Sequence, residues 1–366
     1  MNTSNPSAAT DIARQRDHCA SDAARAPRRI AYYLRHCGSL HYFASLRPYL
    51  DHFLRQGVHR NALVVRDLTP GFESIPEYQG YAHLFTADRD LDAYDLVLTP
   101  THLRDDEIVS RARVVQIFHG MSDKPFTYER DFSEYRLCLC AGQRQVDRLT
   151  SHEPNRRARI AMIGYPKFDR VANCPRLFDN GKKTVIYAPT WRKENLSSIE
   201  IFLDNPATSA AIAADYNLIV KPHPNIFDRQ RAHYDRGMVE RLEQTPGIAL
   251  VRSGNVMPWF AQADIFVGDI SASCYEWLYF ARPMVFLNPR PALLKPSRDV
   301  DTLTYLWQCG DVCDDVRDLK LCIDRSVEND RYRAAREAAL EYSVFEPHAG
   351  GATQRGIEHI EALLCC

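Results

Sequence analysis

A chain of 366 residues exceeds what one hydrophobic core usually supports, so two domains are expected. Lys+Arg 46 against Asp+Glu 47 gives a net charge of -1, which leaves no overall field to draw the protein to nucleic acid. Hydrophobic residues at 45% and charged residues at 25% match an ordinary globular protein, and no apolar run approaches the ~18 residues of a membrane span.

Residues 1–28 are polar, lack the apolar core of a signal peptide, and read as a disordered extension. "RIAYYL" (29–34) reads as a strand. After the loop "RHCGSLH", the stretch "YFASLRPYLDHFLRQG" has apolar residues at helical spacing and a glycine stop. "ALVVR" (62–66), "DLVLT" (95–99), "VVQIF" (114–118), "LCLC" (137–140) and "AMIG" (161–164) are further strands. Their apolar residues run continuously, as in a parallel sheet covered on both faces. This gives an N-terminal Rossmann-like domain over 29–165. A linker over 166–183 follows, rich in Pro, Asn, Asp and Gly as a hinge should be.

The pattern then restarts. "TVIYA" (184–188), "YNLIV" (216–220), "IALV" (248–251), "DIFVG" (264–268) and "MVFLN" (284–288) are strands. "SSIEIFLDNPATSAAIAA", "RAHYDRGMVERLEQ" and "SCYEWLYFA" are the helices between them. The second domain spans 184–345, and 346–366 carries a closing helix. The fold class is α/β, with two doubly wound parallel-sheet domains facing a cleft. Ligands bind such sheets beyond the carboxyl ends of the strands.

Four loops after strands carry the candidate chemistry. In "IFHGMSDK", His119 suits a general base, since the unperturbed pKa of histidine lies near neutrality, or it hydrogen-bonds its own loop. Gly120 beside it allows a sharp turn or close approach to a ligand. In "YAPTWRKE", Thr190 and Arg192 suit phosphate oxygens, or form a capping turn with a surface arginine. In "KPHP", Pro222 and Pro224 end the ladder and hold His223 at a fixed angle beside Lys221; the alternative is a stiff turn with an incidental histidine. In "VGDISASCYEW", Asp269, Ser271 and Ser273 open a helix whose free amides suit a phosphate, or they merely cap it. No metal site is expected. Cys138 and Cys140 are too close for a zinc knuckle, Cys309 and Cys313 lack a second pair, and the 11 cysteines read as reduced cytosolic thiols. "DRD" (88–90) and "DDE" (105–107) read as solvated acidic loops.

Together, "HG" (119–120), "GYPKFDR" (164–170), "YAPTWR" (187–192), "KPHP" (221–224), "ADIFVGDISASCYEW" with "RPMVF" (282–286), and the final "HAGGATQRGIEHI" resemble the CDP-glycerol glycerophosphotransferases of teichoic-acid and capsule polymer synthesis. The chain departs from them at Ile270, where an aromatic residue is usual, and at Lys167, often Arg. The resemblance implies a GT-B fold with the donor nucleotide on the second domain and the acceptor on the first. It places His119 at the base, His223 on the donor diphosphate, and Ser271 and Ser273 near the donor phosphates. It implies a CDP-glycerol or similar CDP-polyol donor and a glycan or lipid-linked acceptor. It also implies a cytoplasmic enzyme, at the inner membrane face when the acceptor is there. No resident cofactor is expected, only diffusible Mg²⁺ travelling with the diphosphate. The fold would equally serve a glycosyltransferase using a CMP- or UDP-sugar, a sugar-nucleotide epimerase, or a nucleotide-binding module without catalysis.

Overall fold

Runs of Val, Ile, Leu, Phe and Tyr without polar alternation can only be buried on both faces, and they form the inner strands of two parallel sheets. The computed structural model describes residues 27–365, except 39, 69–70, 87–88, 108–109, 125–127, 172–174, 192–195, 224–225, 227–235 and 253–254. The expected extension, apart from residues 27 and 28, therefore lies outside the described residues. The first sheet contains β1 (Arg29–His36), β2 (Arg60–Asp67), β3 (Phe85–Thr86), β4 (Leu96–Thr99), β5 (Val114–Gln116), β6 (Leu137–Cys140) and β7 (Ile160–Met162). Its order is β3-β2-β1-β4-β5-β6-β7. The second contains β8 (Thr184–Tyr187), β9 (Asn217–Val220), β10 (Ile248–Leu250), β11 (Ile265–Gly268), β12 (Met284–Leu287) and β13 (Asp311–Cys313), in the order β10-β9-β8-β11-β12-β13. All pairings are parallel. Each sheet reverses strand order once, at β1/β4 and at β8/β11, and these two switch points frame the site. The edge strands β3 and β13 were not expected. They are two and three residues long, too short to leave a hydrophobic pattern.

α1 (Leu40–Gln56) buries Phe43, Leu46, Tyr49, Leu50 and Phe53 at helical spacing against the first sheet. α2 (Gln143–Ser151) follows β6. In the second unit, the helix expected from "SSIEIFLDNPATSAAIAA" is two: α3 (Ile199–Leu203) and α4 (Pro206–Asp215). Pro206 divides them, since proline fits the first turn of a helix and not its interior. α5 (Arg236–Glu243), α6 (Met257–Gln262), α7 (Ser273–Trp277), α8 (Leu319–Glu328), α9 (Arg333–Ser343) and α10 (Ala352–Leu364) complete the helices.

α10 returns to the first unit. Its Ile357, Ile360 and Leu364 join the core around Tyr49, Phe53 and Ile163. The amides of Ala352 and Thr353 donate to the Asp169 carboxylate at 3.1 and 2.6 Å, satisfying donors that a helix start leaves open. Arg355 Nε donates to the Ile163 carbonyl at 2.8 Å. Gly164 sits at φ 85, and a Cβ there would lie 2.8 Å from the Phe345 carbonyl oxygen, so only glycine fits. "GYPKFDR" and "HAGGATQR" are thus two sides of one joint. The start of the expected linker is bolted down rather than loose.

A second joint crosses between the units. Arg144 of α2 pairs with Asp123, and its Nε donates to Tyr275 Oη of α7 at 2.7 Å. Tyr275 donates in turn to Asp123 Oδ1 at 2.5 Å. The guanidinium lies 4.1 Å from the Tyr305 ring centroid. Arg148 adds bonds to the Asp301 and Asp123 carbonyls at 2.8 and 3.1 Å.

Candidate active site

After β5 the ladder continues one residue, with the Ile117 amide on the Thr99 carbonyl, and then the chain turns. The left-handed residue of that turn is Phe118, at φ 52, not the expected Gly120. Gly120 serves close approach instead. A Cβ there would lie 3.2 Å from Tyr165 Oη and 4.0 Å from Ala272 Cβ of the second unit. His119 Nδ1 lies 3.0 Å from the Pro100 carbonyl oxygen. A carbonyl only accepts, so Nδ1 carries the proton and Nε2 keeps its lone pair. Burial lowers the imidazole pKa to about 4, against the Pro100 bond, so the ring is neutral at pH 7.

The second unit supplies the facing wall. Asp269, 1% exposed at the end of β11, accepts the Thr190 amide at 3.0 and 3.2 Å and the Ser198 amide at 2.9 Å. The Ser198 hydroxyl adds a fourth bond at 3.0 Å. Asp269 was expected to touch the donor. Its carboxylate instead holds the loop after β8, and its charge would repel a diphosphate. Thr190 Oγ1 accepts from Lys124 Nζ of the first unit at 3.0 Å. Ser273 Oγ lies 3.1 Å from the Ala188 carbonyl oxygen and 2.7 Å from Ser271 Oγ. α7 has five residues before a 3-10 turn, so the helix dipole expected to favour phosphate here is small and the two hydroxyls remain. Arg192 and Pro224 lie outside the described residues.

Beyond β9, Lys221 is buried, and burial lowers its pKa to about 8, against the pull of Glu276. The His223 ring lies near-parallel to the Trp191 indole, centroids 5.8 Å apart. Burial, reinforced by Lys221 and Lys124, lowers the His223 pKa to about 3, so the imidazole is neutral at pH 7. Lys167 Nζ lies 2.5 Å from Glu276 Oε1, to which Tyr165 also donates at 2.8 Å.

His119 of the first unit and His223 of the second come together around one further ring. Two residues that the sequence reading passed over join them. His41, in the first turn of α1, lies 5.9 Å from His119 and 5.4 Å from His223, ring to ring. Lys124 reaches across to Thr190. Beside His119, a cavity of about 320 Å³ opens between α1, the β5 and β6 ends, residues 164–170, and Asn255 with Val256. It lies against the first unit. Among the described residues, no three His, Cys, Asp or Glu side chains converge as metal ligands, and no helix is long and apolar enough to cross a membrane.

The model of the CDP-glycerol:poly(glycerophosphate) glycerophosphotransferase family matches residues 108–362. The chain belongs to this family. The match leaves out His41 and Pro100 and covers His119, Gly120, Lys124, Thr190, Lys221, His223, Asp269, Ser271 and Ser273. Among solved structures, this glycerophosphotransferase is similar to the wall teichoic acid polymerase TagF. That likeness has TM-score 0.59 and 15% identity, over 97% of this chain and 94% of that one. It is also similar to a UDP-GlcNAc 2-epimerase from Neisseria meningitidis bound to UDP-GlcNAc, with TM-score 0.56 and 11% identity over 91% and 99% of the two chains. A putative UDP-N-acetylglucosamine 2-epimerase from Listeria monocytogenes gives TM-score 0.55 at 12% identity over 93% and 97%. At such identities the likeness shows the fold alone: GT-B, two Rossmann-like units. Comparison with curated proteins returns no match.

Proposed function

We propose that this glycerophosphotransferase moves glycerol phosphate, or a similar polyol phosphate, from a CDP-linked donor to an acceptor hydroxyl during teichoic-acid or capsule synthesis. The observation that carries this reading is His119. Its tautomer is set by Pro100, and it faces His223 and Lys221 across the cleft. The acceptor oxygen attacks the β-phosphorus of CDP-glycerol, and His119 Nε2 takes its proton. The bond to the bridging oxygen breaks and CMP leaves with that electron pair. Lys221, Lys124, the His223 N–H and the Ser271 hydroxyl stabilise charge on the phosphates, in a transfer that depends on positioning and electrostatics. Diffusible Mg²⁺ would add positive charge at the diphosphate.

The cavity beside His119 takes the acceptor, a glycan or a lipid-linked chain end. Gln145 lines it and is 2% exposed. Its Oε1 accepts the Ala141 amide at 2.7 Å, and its Nε2 has no hydrogen-bond partner among the described residues, so the acceptor would meet a ready donor. A lipid-linked acceptor would bring the enzyme to the inner membrane face.

Nucleotide selectivity tests this reading against the epimerase fold-mates. CDP at about 100 times its dissociation constant should stabilise the protein by ~2.7 kcal/mol in a thermal-shift series. Stabilisation by UDP-GlcNAc and none by CDP or CDP-glycerol would overturn it.

Lys221 sets the alkaline limb. With a pKa of about 8 it is charged below that pH and loses its charge as pH rises through it, so donor affinity should fall there. His119, with a pKa of about 4, loses its free lone pair only as pH falls through that value. The kcat/KM profile for the donor should be level between these limits. Lys221→Arg, charged throughout, should remove the alkaline limb; its persistence would reassign that limb to another group.

A further inference from the structure

We infer that His41 is a third catalytic imidazole, one whose N–H hydrogen-bonds the phosphoryl group as it passes from donor to acceptor. The inference rests on the transfer reading above and adds a residue that lies outside the family match.

β1 and β4 form the switch point of the first sheet, where doubly wound folds place ligands. The chain leaving β1 enters α1 within a few residues, and His41 stands in that first turn. His119 marks the acceptor side and His223 the donor side. His41 contacts both rings, at 5.9 and 5.4 Å between centroids. A group handed from one to the other passes His41.

Burial comes first, and His119, His223, Lys167 and Lys221 then add to it; together they hold His41 well below the usual histidine pKa. A neutral imidazole at a helix N-terminus bears one N–H and serves as an electrophilic hydrogen-bond donor. His119 spends its N–H on Pro100. Among the described residues, neither ring nitrogen of His41 has a hydrogen-bond partner, and the side chain lines the cavity. A phosphoryl oxygen passing between the two units would meet this half-buried donor at the cavity wall. Because the donor is in place before charge develops on the equatorial oxygens, its effect falls on the transition state. His41 keeps its proton throughout; the only proton transferred is the one His119 receives.

The test compares His41→Ala and His41→Asn in the full chain. CMP release is measured at saturating donor and acceptor, and CDP affinity and acceptor KM are measured separately. The alanine variant should lose about 10²- to 10³-fold in kcat, with both binding constants within about threefold. The asparagine variant, which retains an N–H donor, should recover about tenfold of that loss. A merely structural histidine would shift binding or the melting temperature and would not separate Asn from Ala. A kcat within about threefold of normal in His41→Ala overturns the inference. A second measurement does not need turnover. The His41 imidazole nitrogen resonances, assigned by their loss in His41→Asn, should shift when CDP-glycerol is added. If they stay fixed while CDP-glycerol binds, the inference falls; if CDP-glycerol does not bind at all, the transfer reading falls first.

Discussion

Replacing His119 with alanine should lower CMP release from CDP-glycerol by about 10²- to 10⁴-fold and leave CDP affinity unchanged. The separation follows from where the residue sits. His119 stands on the first unit beside the acceptor cavity, with Nδ1 committed to Pro100 and Nε2 free to accept a proton. His223 lies after β9 on the second unit, among Lys221 and Lys124. His223→Ala should therefore weaken donor binding, the effect His119→Ala spares. His119→Asn sharpens the test, because its amide can still donate to Pro100 yet cannot act as a base. It should be as slow as the alanine variant. Near-normal turnover in either His119 variant would remove the assigned base.

Arg144→Met should destabilise the protein by about 3–5 kcal/mol, the usual result of leaving one member of a buried ion pair alone. Arg144 is 3% exposed and its partner Asp123 7%, so water cannot solvate the stranded carboxylate. The same change removes the bond to Tyr275 and the contact with Tyr305, which join α2 to the second unit. The double variant Asp123→Asn with Arg144→Met should be more stable than Arg144→Met alone, because no unpaired charge remains buried. Urea midpoints of the two single variants and the double variant measure this. Equal destabilisation by the single and double variants would mean the pair acts only as packing. Because the joint spans the units, Arg144→Met should also slow transfer.

The strands were legible because buried parallel strands carry unbroken apolar runs, as in "LCLC" and "TVIYA". His119 and His223 were legible because each follows such a strand. His41 was not. "RHCGSLH" reads as a loop, and nothing local shows that the β1–α1 turn aims into the cleft that His119 enters much later in the chain. Lys124 was hidden in the same way, since its partner Thr190 belongs to the other unit. Asp269 shows the converse. Its residue type suits a ligand or a cap, and its actual partners, Thr190 and Ser198, are set by tertiary packing. The left-handed turn fell to Phe118 rather than Gly120 because packing against the first core holds a φ that local preference disfavours. Two family motifs, "GYPKFDR" and "HAGGATQR", form a joint around Asp169, Gly164 and Arg355, and the first of them also lines the cavity beside His119. Motif order could reveal the family, but only folding shows which motifs touch substrate.

The most direct measurement is the stoichiometry of the reaction itself: CMP released from CDP-glycerol, against glycerol phosphate attached to an acceptor carrying a free hydroxyl. Transfer with His119 as the base requires one CMP for each glycerol phosphate transferred, little release without acceptor, and loss of both in His119→Ala. CDP bound tightly with no CMP released under any acceptor, or a UDP-sugar converted while CDP-glycerol stays intact, would contradict it.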